Sequence, residues 1–253
     1  KIDYTTNPHP SGVVALSLKD APALIESLFP VQKISVESYK EQMAVHGKML
    51  TALGSYWKGR KPLVLNRACV LASLLPATNR PLKDLEVFEL LMGMDDISLS
   101  KRLGLAKPID ILQCVHIPNI DAYFTVTPAS ARAALPTSAP FSVNDYVTTK
   151  LKVEWRSDVS DSQKHVLSAQ LFAEESYKEV TGRAKRTDEL HAEELQSHIW
   201  ARINEHVGTK AYTIEELTEQ LGVMRFGHRP TIADTFSGSG QIPFAAAQTG
   251  CDV

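Results

Sequence analysis

The stretch Asp234-Thr235-Phe236-Ser237-Gly238-Ser239-Gly240 combines an acidic residue, an aromatic and spaced glycines in a pattern suited to holding a polar ligand. Thr231-Ile232-Ala233 is a short apolar run that predicts a strand ending at Asp234. From Gln241 onward, Ile242, Phe244, Ala245, Ala246 and Ala247 predict a helix closed by Gly250. Cys251-Asp252-Val253 reads as the start of a further strand. Gly238 and Gly240 can take positive φ and let a ligand approach the backbone closely. The helix N-terminus behind them offers free N–H groups and a positive dipole end to polar or anionic atoms. Asp234 falls at the carboxyl end of its strand, where ligands bind in open α/β sheets. A phosphate loop would end in Gly-Lys-Ser/Thr, whereas Gly240 is followed by Gln241-Ile242. A dinucleotide fingerprint would place a third glycine where Pro243 stands. A tight turn with no ligand is the plain alternative.

Just before this loop, Arg225, His228 and Arg229 form a basic cluster that could contact nucleic-acid phosphates. Further clusters occur at Lys58-Gly59-Arg60-Lys61 and Arg183-Ala184-Lys185-Arg186, and solvated faces between helices are the commoner account of all such runs. Cys114 and His116 share a face if their segment is a strand, but no further ligands lie near them in sequence, and no metal is expected.

The loop needs elements to hold it. The first dozen residues, with Pro8, Pro10 and Gly12, read as an irregular arm. Helices are predicted from Ser35 to Leu53, over 63–75 behind Pro62, and over 81–92 with Leu82, Leu85, Phe88 and Met92 on one stripe. Residues 109–117 and 122–127, separated by Pro118-Asn119, predict a strand pair, and the Pro-rich stretch 128–142 a linker or surface loop. The expected division is an amino-terminal, mainly helical domain over 1–142, then 143–253 as a helical lead-in and the first βα unit of the domain bearing the loop. Within that lead-in, one helix is predicted from Ser160 to Val180, stopping at Gly182. A second runs from near Thr187 to Gly208, with Leu195, Ile199, Ile203 and Val207 as its stripe. The capping pattern Thr213-Ile214-Glu215-Glu216 opens a third, predicted to end at Gly222.

The fold class expected is α/β: a largely helical amino-terminal region with a small strand pair, leading into the first strand–loop–helix of a doubly wound sheet. The 253 residues, 43% hydrophobic and 22% charged, suit an ordinary globular chain. A net charge of -2 gives no global signature of a nucleic-acid binder. No apolar run reaches membrane-spanning length, and the three scattered cysteines fit a reducing cytoplasm rather than a disulfide framework.

Asp-x-Phe-x-Gly-x-Gly, followed by an apolar helix and Gly250-Cys251-Asp252-Val253, resembles the S-adenosylmethionine loop of amino-methylating DNA methyltransferases. The usual form there is Asp-Pro-Phe-x-Gly-x-Gly, with Thr235 standing here in place of proline. The resemblance implies a Rossmann-like methyltransferase sheet and S-adenosylmethionine held by Asp234, Thr235, Phe236, Ser237, Gly238, Gly240 and Gln241. In that family the phenylalanine lies near the methionine portion of the cofactor and the glycines line it. A second stretch, His46-Gly47, Thr51, Tyr56-Trp57 and Arg60-Lys61-Pro62-Leu63, is similar to the amino-terminal region of large bacterial adenine-specific methylases, some of which sit in anti-phage defence clusters. What both imply is methyl transfer to an exocyclic amine of DNA, adenine N6, on an extruded base, in restriction-modification or phage defence. DNA is then the partner, contacted by Arg225, His228 and Arg229, with proteins of a defence system as further partners and a cytoplasmic location.

The Asp/Asn/Ser-Pro-Pro-aromatic motif of that chemistry does not occur in the chain, and no cysteine follows a proline as cytosine-C5 chemistry would need. No catalytic residue can be named. Lys1 in place of Met suggests that the true start is missing. The absent motif, and a single strand and helix that cannot make a stable parallel sheet, lead to the expectation that the chain is the amino-terminal part of a longer enzyme and is inactive alone. Two alternatives remain: a methyltransferase acting on RNA, and a non-catalytic interaction module of a defence complex with a decayed cofactor site.

Overall fold

In a computed structural model of the chain, which describes residues 2–43, 61–146, 151–238 and 240–253, one apolar helix organises the larger part of the fold. That helix, α3 (Leu63–Leu74), follows Pro62 as the sequence predicts and buries Leu63, Ala68, Val70, Leu71, Ala72 and Leu74. Its near-continuous apolar surface lets several helices pack around it. These are α1 (Leu24–Ser27), α2 (Val31–Gln42), α4 (Pro81–Met92), α12 (Ile214–Phe226) and α13 (Gln241–Gln248). Both ends of α3 are met by charge of the right sign. The Glu41 carboxylate on α2 accepts from the Leu63 and Val64 amides at 2.8 and 3.0 Å, at the positive end of the helix dipole. Arg225, on α12, donates to the carbonyls of Leu74 and Leu75 at the negative end.

The chain divides into two units, Lys1–Asp95 with Arg186–Val253, and Asp96–Lys185. The expected boundary at 142 falls inside the second of these. In the first unit, α2 begins a turn earlier than expected, directly behind Pro30, and ends at Gln42. The rest of the predicted 35–53 helix lies outside the described residues, as do His46, Gly47, Thr51, Tyr56, Trp57, Lys58, Gly59 and Arg60. Helix α4 has the predicted limits, with Pro81 in its first turn and Gly93 in the left-handed region at its end. Its buried stripe is rotated from the predicted one. Leu82 is 81% exposed, while Val87, Phe88, Leu90, Leu91 and Met92 are buried, because helices pack against α4 on two sides.

One of those partners is α11 (Trp200–Val207), which is preceded by the short α10 (Ala192–Gln196). The continuous helix predicted from Thr187 to Gly208 is thus broken, but its stripe of Leu195, Ile199, Ile203 and Val207 is buried, and Gly208 caps α11 at φ 78. Between α4 and α11 lies a buried polar knot. Asp84 accepts from the Thr78 amide at 2.7 Å, the Thr78 hydroxyl at 2.8 Å and the His206 Nε2–H at 2.6 Å. Asp84→Asn turns one acceptor oxygen into a donor facing another donor, and should lower stability by about 2–3 kcal/mol. Thermal denaturation checks it, and an unchanged melting temperature would refute the knot's contribution.

In the second unit, the expected strand over 109–117 is instead α6 (Pro108–Cys114). The adjacent residues Ile111 and Leu112 are both fully buried, and Val115 follows them into the core; strand alternation could not bury adjacent residues on one face, whereas helical spacing does. Cys114 and His116 therefore share no strand face. Strand β1 (Phe124–Thr127) pairs antiparallel with β2 (Lys152–Trp155), in the register Phe124↔Trp155 to Thr127↔Lys152. The Phe124 and Trp155 ring centroids lie 4.6 Å apart, with the planes tilted by 40°. The stretch 128–142 is not a free linker. It contains α7 (Ala129–Arg132), and Ala139 exchanges backbone hydrogen bonds with Ile117 at 2.8 and 3.1 Å.

The helix predicted over 160–180 is two helices, because a second cap competes with the first. α8 (Asp161–Ala169) starts at a capping box of Ser160 and Gln163, and α9 (Tyr177–Arg183) at one of Ser176 and Glu179. Both pack on α5 (Asp96–Leu103). The Ser176 hydroxyl and amide hold the Glu179 carboxyl below the ordinary glutamate range. A depressed carboxylate pKa contributes stability above the unfolded value and loses it as pH falls through the folded one. Ser176→Ala should therefore reduce helix content by circular dichroism at neutral pH, and the difference from wild type should shrink in acid below the glutamate range to the part that the Glu179 amide–Ser176 hydroxyl bond contributes. A difference constant across pH would overturn this.

Mixed α/β is thus the class observed, with the antiparallel pair β1–β2 as its sheet among the described residues.

Candidate cofactor loop

The loop is reached from α12, which is the predicted Thr213 helix with a different end. Thr213 accepts from the Glu216 amide at 3.2 Å, and the Glu216 carboxylate accepts from the Tyr212 amide at 2.7 Å. The helix does not stop at Gly222 but runs through it to Phe226 and is capped by Gly227 at φ 80. Gly222 serves close packing. A Cβ there would lie 2.3 Å from the Pro230 ring and 2.8 Å from the His228 carbonyl oxygen. The segment leading into the loop therefore lies directly on α12. The amino-terminal arm covers the end of the same helix, with the amides of Leu16, Leu18 and Tyr4 donating to Val223, Met224 and Gly227 carbonyls at 3.0, 2.7 and 2.8 Å.

Thr231 and Asp252 form a parallel bridge, in which Ile232 donates to the Asp252 carbonyl at 2.8 Å and Asp252 to the Pro230 carbonyl at 2.9 Å. Between these two segments run the loop and α13, packed on α3. Asp234 leaves the first segment and its carboxylate accepts from the Phe236 amide at 3.1 Å, folding the start of the loop into an Asx turn. Gly238 and Gly240 have φ of 52 and 71, and Gly240 is the N-cap of α13. Among the described residues, a Cβ at Gly240 would meet nothing within 4 Å, and one at Gly238 only the Phe236 carbonyl oxygen at 3.8 Å. The glycines are not demanded by neighbours among the described residues; they leave the backbone bare toward open space. Phe236 is 93% exposed, an unusual place for a phenylalanine without a ligand or partner.

Thr235, Ser237 and Gly238 are exposed beside it, Asp234 and Gly240 are half-buried, and Gln241 is buried at the first turn of α13. Ser239 lies outside the described residues. Pro243 is accommodated in the first turn, where its missing N–H would have had no helical acceptor. At the other end, Gly250 takes φ 92 and Cys251 donates to the Ala246 carbonyl at 3.0 Å, closing the helix as predicted.

The basic cluster needs correction. Arg225 is buried, and its guanidinium donates to the carbonyls of Leu74, Ala21, Pro22 and Leu75 at 2.6, 2.9, 3.3 and 3.0 Å. Burial lowers its pKa, with Glu26 opposing. Its donors are spent on backbone, so it does not reach a phosphate. Position in sequence carried a signal for this: Arg225 continues the helical stripe Ile214, Leu217, Leu221, which is buried throughout. His228 and Arg229 do lie beside the loop's entry. The His228 Nδ1–H donates to the Arg229 carbonyl at 2.7 Å, and the Arg229 guanidinium donates to Glu219 at 2.6 Å, which raises the arginine's pKa. Glu219 thus offsets much of the local positive charge. The cluster at 183–186 is likewise paired, Arg183 with Glu175, and Arg186 with Asp188 and Glu189. No group of metal-ligating side chains occurs among the described residues, and no described helix is long and apolar enough to cross a membrane.

Residues 28–91 match a family model described as a protein of unknown function, DUF1156, and that description carries no activity. The matched span contains α2, α3 and all but the last residue of α4, and includes the similar stretch from His46 to Leu63. No curated protein and no solved structure matches the chain.

Proposed function

We propose that residues 231–253 are the first β–α–β unit of a Rossmann-like methyltransferase domain, and that its loop binds S-adenosylmethionine. The observation that carries this reading is the parallel bridge between Thr231 and Asp252, spanned by a glycine loop and α13. A parallel pair joined through a helix, with an acidic residue at the carboxyl end of the first segment, is the arrangement in which α/β sheets bind nucleotide-like ligands.

The residues present fit the cofactor's chemistry. A carboxylate suits the amides at the N-terminus of α13, beside the bare backbone of Gly238 and Gly240. An ammonium suits the carboxylate of Asp234. The exposed ring of Phe236 offers apolar cover to the methionine portion. When bound, the sulfonium supplies an electrophilic methyl group. This chain's residues bind and orient that group, and no catalytic residue is assigned among them. The acceptor proposed is an exocyclic amine of DNA, adenine N6, in restriction-modification or phage defence, with the base presented outside the duplex. His228 and Arg229, at the mouth of the loop, are the basic side chains left to meet a phosphate.

Isothermal titration of the full-length protein with S-adenosylmethionine tests the reading. Saturable binding at one site per chain is expected, and absence of binding would leave a non-catalytic module as the better account. Radiolabelled methyl incorporation into DNA and into RNA then separates the two acceptor classes.

A further inference from the structure

We infer that Arg225 is a positioning residue for the loop at Asp234–Gly240, an inference that rests on the cofactor reading above. The loop is suspended between two supports. The segment before it lies on α12, where Gly222 lets Pro230 sit within 2.3 Å of a would-be Cβ. The helix after it, α13, packs on α3. The relative placement of strand and helix, and so the shape of the loop, depends on how α12 meets α3. At that junction the planar guanidinium of Arg225 makes four hydrogen bonds, two to the terminal carbonyls of α3 and two to Ala21 and Pro22. A fork of fixed geometry that reaches two chain segments fixes orientation as well as distance, which an ammonium on a flexible stem does not. The far end of α13 is tied to α12 too, since a Cβ at Gly250 would lie 2.8 Å from the Glu215 Cα. Helix α3 lies within the matched span 28–91, so that span has a definite task here: it is the bed on which the cofactor helix lies.

The test uses Arg225→Met, Arg225→Lys and, as a stability control, Asp84→Asn, whose hydrogen bonds to Thr78 and His206 involve neither Arg225 nor any of its four acceptor carbonyls. In the full-length protein, Arg225→Met should weaken S-adenosylmethionine binding roughly tenfold or more, since small misplacements of a site are costly. Arg225→Lys should restore part of it. Asp84→Asn should lower the melting temperature yet leave affinity unchanged. Hydrogen–deuterium exchange without ligand reads the loop directly: peptides over 231–240 should exchange faster in Arg225→Lys and not in Asp84→Asn. Should Arg225→Met fail to fold, Arg225→Lys carries both measurements. Wild-type exchange in the Arg225→Lys loop, or an equal affinity loss in Asp84→Asn, would overturn the inference. No binding by the wild type, with the exchange difference intact, would instead overturn the cofactor assignment alone.

Discussion

On the proposed cofactor reading, Gly238→Val is expected to weaken S-adenosylmethionine binding roughly 100-fold while leaving the protein folded. At φ 52 a β-branched residue is strained, which costs about 1–2 kcal/mol. Nothing else among the described residues resists the change, because a Cβ at this position meets only the Phe236 carbonyl oxygen at 3.8 Å there. The melting temperature should therefore fall by only a few degrees, roughly 2–4 °C per kcal/mol for a chain of this size. The ligand would suffer far more, since the isopropyl group fills the space through which it must reach the backbone. A loss of roughly 100-fold, about 3 kcal/mol, is expected in titration calorimetry. An affinity equal to wild type would remove Gly238 from the site.

Gly222→Ala should do the reverse, costing stability first. In an exposed helix this change gains about 1 kcal/mol, because alanine is the better helix former. Here the added carbon would stand 2.3 and 2.7 Å from Pro230 ring atoms and 2.8 Å from the His228 carbonyl oxygen. Neither a proline ring nor a backbone oxygen can swing aside as a flexible side chain would. Overpacking costs about 1–3 kcal/mol, and more when backbone must move, so the clash outweighs the propensity gain. A net loss of about 2 kcal/mol is expected in denaturant unfolding. Because Pro230 leads into the first strand segment, faster hydrogen exchange at 231–233 should accompany it. A gain in stability would mean that Gly222 is an ordinary helix residue.

Local signals served well where local physics decides. Pro62 and Pro81 at helix starts, Gly208 and Gly250 at helix ends, and the Thr213 cap were legible because a missing N–H or a positive φ acts within one turn. They failed where two local signals competed. Ser176 reset a helix that periodicity alone would have continued to Val180, and Ile111-Leu112 read as strand because β-prone residues outvoted their helical spacing. Gly222 looked like a stop and is a packing contact, since only the neighbour Pro230 distinguishes the two.

By itself the sequence determined the loop, its two glycines and the helix that follows, because turn chemistry and capping are written in adjacent residues. Tertiary structure decided what surrounds them. The apolar stripe of α12 hinted that Arg225 is buried, but only the tertiary structure brings to it the carbonyls of Leu74, Leu75, Ala21 and Pro22, from positions far away in the chain. The same holds for α3, whose apolar run announced burial but not that α13 would lie along it. Burial is a property of one residue's chemistry; partnership depends on the path of the whole chain.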